Sequence, residues 1–392
     1  MKILVLGSGL MGPASAYNAM TDPDVTQVTL CDRDQQQLDA AYAKLKDMEG
    51  GEKVTTVALD LSDQAATTEL MAGFDAVVAA LPKVAIPWGI RAAVAANTPL
   101  VDLSWPPPEQ VEEVKQHVED EGGLVIPGCG VEPGLTEIMA RYLAEKLDRI
   151  DELHIKCGGI PAKPAPPLGY KIVFGGRNLP LREGDATICK DGALDTVPRY
   201  SGAHPVHFAG VGECEAWQEG FMPWLMELDV LKDLKLGTQM TVRWPGYAAK
   251  ATVLRDLGMF SPDPIDVYGS QVAPKALLDA LLYPHVRLEE GEIDITCFRV
   301  EAFGEKDGQR CAYKIEMVDW YDEELGFTSM ARTTAMTGAI VARMIARGDI
   351  TAQGFLTPEK VITGPLFDTL VDELAAVNMR FEMTTEKVKD LV

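Results

Sequence analysis

The chain of 392 residues carries 59 acidic and 36 basic side chains, a formal net charge of −23, with 47% hydrophobic and 24% charged residues. Its length exceeds one ordinary core and suits two domains, and its composition is that of a soluble globular protein. The acidic surface repels phosphate backbones and anionic lipid, which argues against nucleic acid and membrane partners, and no apolar run reaches the ~18 residues that span a bilayer.

The opening MKILVLGSGLMG looks superficially like a signal peptide. It soon reaches glycine and lacks a small-residue cleavage site, so it reads as a buried strand. Up to about residue 130, the runs KILVLG, VTQVTLCD, KVTTVALDL, DAVVAALP, PLVDLSW and GGLVIPG read as buried strands, separated by helix-like segments such as RDQQQLDAAYAKLKDM and PEQVEEVKQHVEDEG. That alternation predicts right-handed crossovers and a Rossmann-type, doubly wound parallel α/β sheet. Beyond residue 150 the texture changes: DELHIKCGGIP, YKIVFGG, QMTVRWPG and DITCFRVEAFGEKDGQRCAYKIEMVDWYD read as antiparallel strands, the last folded at its Asp-Gly pair, and AKPAPPLG as a stiff loop. The run SMARTTAMTGAIVARMIARG reads as a long helix packing back on the first domain. The expected division is 1–130 for a dinucleotide-binding domain, 131–328 for a second α/β domain with a mixed, mostly antiparallel sheet, and 329–392 for a returning segment. Seven scattered cysteines (31, 129, 157, 189, 214, 297 and 311) form no CxxC, which predicts reduced thiols in a cytoplasm and neither a disulfide frame nor a metal site. His204-Pro-Val-His207 has metal-like spacing but reads as a loop, and WQEGFMPWLME as core or subunit contact.

Gly7-Ser8-Gly9-Leu10-Met11-Gly12 is a GxGxxG between a strand and a helix. Its glycines allow a tight turn and close backbone approach to a pyrophosphate drawn to the helix N-terminus. The second strand ends in Asp32, where a carboxylate can hold the ribose hydroxyls, and this favours NAD. Arg33 beside it leaves NADP possible. Asp60 and Leu61 after the third strand, and Ala80-Leu81-Pro82 after the fourth, are further candidates for cofactor contact; Asp60 could equally cap the next helix. Ligands of such sheets sit beyond the carboxyl ends of the strands, and GCGVEPGLTE, residues 128–137, lies at one of those ends. Its acid Glu132 is either a helix cap or the group that faces a substrate.

Three blocks, GCGVEPGLTEIMA, CGGIPAKPAPPLGYKIVF and VRWPGYAAKATVLRDLGMFS, resemble in order those of the saccharopine reductase family. The closing VDWYDEELGFTSMARTTAMTGAIVARMIARGDITAQGFLTPEK is most similar to the branch holding lysine 6-dehydrogenases, and the resemblance covers nearly the whole chain. It implies a Rossmann domain, a second domain that also builds a homodimer or higher homo-oligomer, and hydride transfer between a nicotinamide and an amine-bearing carbon. That family usually reads Gly-Leu-Asp-Pro-Gly where this chain has Gly130-Val131-Glu132-Pro133-Gly134, so Glu132 reaches one methylene further. An alkylammonium, with a pKa near ~10.4, must lose a proton before hydride leaves, and Glu132 is the candidate base or counter-ion. Arg243, Lys171, Tyr170 and Ser104 are the candidates to hold a small amino-acid substrate, arginine being suited to a bidentate grip on a carboxylate. The expected activity is that of a lysine 6-dehydrogenase. The alternatives are a saccharopine dehydrogenase or reductase, whose three carboxylates call for more cations, and a dinucleotide-binding regulator without turnover. The cations Lys156, Lys163, Lys171, Arg177, Arg182, Arg199 and Arg243 do not separate these readings.

Overall fold

The computed structural model describes residues 1–174, 176 and 179–387. Arg177, one of the cations above, lies outside them, as do the last residues, 388–392, of the expected returning segment. The chain divides into two compact units, one of Met1–Ile138 with Ala331–Arg380, the other of Met139–Met330 with the residues from Phe381 on.

In the first unit, strands β1 (Lys2–Leu6), β2 (Gln27–Asp32), β3 (Val54–Ala58), β4 (Ala76–Ala79), β5 (Leu100–Asp102) and β6 (Leu124–Ile126) all pair in parallel. Their Val, Leu and Ala side chains are largely buried, as the near-continuous apolar runs require of a sheet covered on both faces. A further pair, Gly354–Phe355, extends the sheet beside β6, giving seven strands in the order Gly354–Phe355, β6, β5, β4, β1, β2, β3. The order reverses between β1 and β4, which is where sheets of this kind bind ligands. Helices Gly12–Met20, Gln35–Leu45, Gln64–Met71, Ile86–Ala95 and Val111–Glu121 make the crossovers. The Asp34 side chain accepts from the backbone of Gln36 and Gln37, and Asp63 from Ala66, so each caps the helix that follows.

The long helix expected at 329–348 is broken. Ser329–Ala331 is followed by a π-helical turn, Arg332–Met336, and only then by regular helix, Thr337–Arg347. That last part packs on β4, β5 and helix Gly12–Met20. Its buried Arg343 pairs with Asp22 and Glu373, and Arg347 reaches Glu373 at 2.6 Å.

In the second unit the central strand β7 (Arg149–Pro161) is flanked by two long partners. The remaining strands before the hairpin are β8 (Ala186–Lys190), β9 (Ala193–Val197), β10 (His204–Phe208), β11 (Gly212–Gln218), β12 (Leu236–Arg243), and the small pair β13 (Ile265–Val267) and β14 (Ser270–Val272). Then come β15 (Asp294–Lys306) and β16 (Gln309–Trp320), joined at Asp307-Gly308 with φ of 52° and 71°. Numbering continues with β17 for Gly354–Phe355 in the first unit and β18 for Glu382–Lys387. The main sheet runs β10, β11, β12, β7, β15, β16, β18, with β8 on β12 and β9 on β8.

Several expectations need correction. QMTVRW lies in β12, antiparallel to β11 and β8 as expected but parallel to its other neighbour β7. YKIVF is not a strand: it makes a single bridge, Ile172 to Arg287, and Tyr170 and Ile172 bury themselves in an aromatic core instead. His204 and His207 stand on an edge strand and not in a loop, and Pro205 is tolerated there because an edge needs no second set of N–H donors. Residues 329–392 do not act as one piece, since β18 adds to β16 in the second sheet. The seven cysteines are all buried and free. No helix among the described residues is long and apolar enough to cross a membrane.

Candidate active site

The turn after β1 is shaped for close approach. Gly7 has φ +94°, and a Cβ there would stand 2.4 Å from the carbonyl oxygen of Ala80; one on Gly12 would stand 1.9 Å from the carbonyl oxygen of Gly7. Only glycine fits both places, so the first helix starts hard against the turn, with Gly9 and Leu10 exposed at its tip. These residues fit the pyrophosphate of a dinucleotide. Met11 begins the helix by accepting the Ser15 N–H at its carbonyl. Asp32 is tied to the turn: its Oδ2 accepts from the Ser8 N–H at 2.7 Å and the Ser8 hydroxyl at 2.9 Å, and its Oδ1 from the Asp34 N–H at 3.0 Å. The carboxylate thus locks the glycine loop. Arg33 lines an open hollow with Asp34, Gln35, Gln36, Ala58, Leu59 and Asp60. Asp60 does not cap the following helix, which Asp63 does; it accepts the Ser62 N–H at 2.9 Å, and this bond, with Arg33 nearby, holds its carboxyl below the usual range. Leu61 packs in the apolar core, so only its backbone remains for a cofactor. Ala80 donates its N–H to Leu6, while Leu81 is half-buried and Pro82 exposed.

The loops after β5 and β6 are stapled together. Asp102, the last residue of β5, accepts the Ser104 N–H at Oδ1 (2.7 Å), and its carbonyl accepts the Cys129 N–H (2.8 Å). The Ser104 carbonyl accepts the Gly128 N–H at 2.7 Å, which brings Ser104 and the 128–134 turn into one framework. Asp102 is wholly buried and its Oδ2 meets no hydrogen-bond partner among the described residues. Burial pushes its carboxyl up to about 8, against the opposing pull of the Ser104 N–H, so at neutral pH it holds a proton. Nearby, burial raises the Glu359 carboxyl to about 7, and burial with both of these acids drives the Cys129 thiol far above its usual range. Cys129 is therefore a packed thiol and not a nucleophile.

Helix Leu135–Glu145 begins where the Gly134 carbonyl accepts the Ile138 N–H. The cap at that end belongs to Glu137: its carboxylate accepts the Gly134 N–H at 2.6 Å and the Thr136 hydroxyl at 2.7 Å, reaching back as a capping-box acid does. Glu132 sits half-buried on the preceding turn. Sequence reasoning missed Glu137, though Gly-Leu-Thr-Glu ahead of an apolar run was its signal; nothing in the sequence marked Asp102 and Glu359 as buried acids.

In the second unit Tyr170 and Arg243 come together, with the guanidinium 4.7 Å from the Tyr170 ring centre. Burial lifts the Tyr170 hydroxyl to about 12, and the neighbouring Arg243 opposes that rise. Lys171 is engaged elsewhere, with Glu292 at 2.9 Å and the Arg287 carbonyl at 3.0 Å. A substrate carboxylate would have to displace Glu292, which weakens Lys171 as a substrate residue. No group of three or more His, Cys, Asp and Glu side chains suited to a metal occurs among the described residues.

Two family models cover the chain. Residues 3–123 match the saccharopine dehydrogenase NADP binding domain and residues 130–379 the saccharopine dehydrogenase C-terminal domain. The chain belongs to the saccharopine dehydrogenase family. Its first unit is accordingly a nicotinamide-dinucleotide domain. The carboxynorspermidine synthase of Vibrio alginolyticus is 25% identical over 274 residues, covering 65% of this chain. The chain spans about three fifths of that relative, 62% of its length. The carboxyaminopropylagmatine dehydrogenase of Synechocystis is 22% identical over 399 residues, covering 94% of this chain and 95% of the relative. Among solved structures, apo saccharopine dehydrogenase (L-Glu forming) from Saccharomyces cerevisiae superposes with a TM-score of 0.80 at 20% identity over 98% of this chain and 99% of that one, a likeness of fold.

Proposed function

We propose that the chain is a nicotinamide-dependent oxidoreductase acting on the carbon–nitrogen bond of an amino-acid-derived amine. The observation that carries this reading is Glu132, a half-buried carboxylate at the carboxyl edge of the parallel sheet, on a turn stapled through Ser104 to the end of β5. A bound nicotinamide would supply a hydride acceptor. The chain's residues do the rest: Gly7 and Gly12 admit the dinucleotide's phosphates, Glu132 takes the proton of the substrate ammonium, and Ser104, in the same loop framework, holds the substrate. Loss of hydride and one proton from the ammonium leaves a protonated imine, which water cleaves to a carbonyl compound and the released ammonium.

For the substrate, the names of the relatives support a secondary amine that joins an amine to a carboxylate-bearing arm; oxidation of lysine's side-chain amine with release of ammonia, as a lysine 6-dehydrogenase would perform, is the second reading, favoured by the likeness of residues 320–350 to that branch. For the cofactor, Asp32 is drawn toward Ser8 while Arg33 borders the hollow, which supports acceptance of a 2′-phosphate as well as a free hydroxyl. The test is absorbance at 340 nm with NAD and NADP against saccharopine, carboxyalkylated diamines, lysine and free diamines. Turnover with a carboxyl-bearing secondary amine is expected. Tight cofactor binding with no amine turned over would leave a dinucleotide-binding regulator instead.

A further inference from the structure

The π-helical turn Arg332–Met336 touches two parts of the candidate site, both within the first unit. It packs on helix Gly12–Met20, which starts from the glycine turn, and there the buried Ser15 hydroxyl donates to the Ala335 carbonyl at 3.2 Å. It also meets the loop that carries Glu132. A Cβ added to Gly130 would stand 2.9 Å from the Thr334 Cγ2 methyl and 2.9 Å from the Leu103 carbonyl oxygen, so both stand hard against the glycine. A second close fit follows one helical turn later: a Cβ on Gly338 would stand 2.2 Å from Leu103 Cδ2 and 3.1 Å from the Cys129 carbonyl oxygen. Gly130 closes the neck of the acid's loop. Its N–H donates to the Pro133 carbonyl at 3.0 Å, its own carbonyl accepts the Leu135 N–H at 2.9 Å, and the Val131 carbonyl accepts the Thr136 N–H at 3.1 Å. Glu132 therefore sits on a short loop whose base rests against the Thr334 methyl.

A π turn is rare in proteins and recurs at functional sites. No proline or glycine in RTTAM accounts for it, whereas the contacts with Ser15 and Gly130 give it fixed points on two sides of its sequence neighbourhood. Threonine is branched at Cβ and stiff at χ1, so its methyl acts as a fixed stop and not as a mobile filler. The demand for such a stop is chemical: misplacing a reacting group by ~1 Å costs about 10²-fold in rate. We propose that the π turn is the spacer that sets the Glu132 loop relative to the dinucleotide turn, with Thr334 as the positioning residue and Ser15 as its anchor. Its consequence for turnover rests on the function proposed above; the placement of the loop does not.

Two variants divide the methyl of Thr334 from its hydroxyl. Thr334→Ser removes the methyl and keeps the hydroxyl, whereas Thr334→Val keeps the methyl and removes the hydroxyl. Amide hydrogen exchange of the intact protein, followed by mass spectrometry over residues 128–138, reads the loop through the Leu135 and Thr136 N–H groups with no substrate present. Thr334→Ser and Ser15→Ala should speed exchange there several-fold. Thr334→Val should exchange like the wild type, and the peptides of β2 and β3 should be unchanged throughout. Should Ser15→Ala fail to fold, the threonine pair decides alone. Where an amine is turned over, Thr334→Ser should lower kcat by about tenfold, shift the acid limb of its pH profile and leave the dinucleotide KM alone. Thr334→Val should bring rate and profile back to the wild-type values. Wild-type exchange in Thr334→Ser, faster exchange spread evenly over the first unit, or equal loosening by Thr334→Val overturns the spacer. A loosened loop with kcat and pH profile intact overturns the positioning of Glu132. Loosening by Thr334→Ser and not by Thr334→Val, with no amine turned over by any of the proteins, sinks the activity and keeps the spacer.

Discussion

The two units show two ways of handling buried charge. At the loop ends of the first unit's sheet, Asp102 and Glu359 are wholly buried acids, and burial raises their carboxyls to about 8 and about 7. In the second unit buried and half-buried cations stand beside acids, Lys156 by Glu301, Lys171 by Glu292, Arg199 by Glu219 and Arg299 by Glu316. Neutral acids can set geometry without an electric field of their own.

Four changes would break or sharpen that contrast. The largest effect is expected from Glu132→Gln, which should cut turnover by ~10² or more with cofactor affinity intact, measured by steady-state rates and direct nucleotide titration; an unaltered rate would return Glu132 to a turn residue. Next, Arg33→Ala should weaken NADP by about tenfold or more and NAD little; equal losses for both would move the 2′-phosphate away from the hollow. Third is the pH dependence of stability. Asp102 holds its proton in the folded state up to about 8, whereas an unfolded aspartate loses it near ~3.9. Between those values the folded state binds more protons, so stability falls as pH rises through the window. Glu359 contributes in the same sense over a narrower range. Asp102→Asn keeps an acceptor for the Ser104 N–H and removes the titration, so its melting temperature should fall less steeply with pH than that of the wild type; parallel curves would mean Asp102 is ionised. The smallest effect is that of Glu137→Ala, about 1 kcal/mol for a lost cap in thermal unfolding, with turnover spared if Glu132 keeps its place.

Much of this was legible in the chain. The parallel sheet announced itself because strands buried on both faces must be continuous apolar runs, and the glycine turn because only glycine tolerates its backbone and its neighbours. The second sheet was less readable. ALDTV of β9 is exposed along nearly its whole length and carries no alternation to detect, and YKIVF alternates for the sake of an aromatic core rather than a ladder. The candidate site followed the same logic. Glu132 was nominated by its position after a strand. Lys171 was overrated because its partner Glu292 lies far along the chain, and Asp102 was passed over because an isolated acid inside an apolar run has no periodic signature.

The last strands carry a consequence for how the molecule comes into being. The outer strand of the first sheet, β17, and the last strand of the second, β18, both lie near the end of the chain, one in each unit. A polypeptide emerging from the ribosome N-terminus first must therefore wait. Until residues 354–355 arrive β6 offers an open edge, and until 382–387 arrive so does β16, each a row of unpaired donors and acceptors that another nascent chain could occupy. The first sheet thus waits for residues 354–355 to be closed, and the second for residues 382–387 after them.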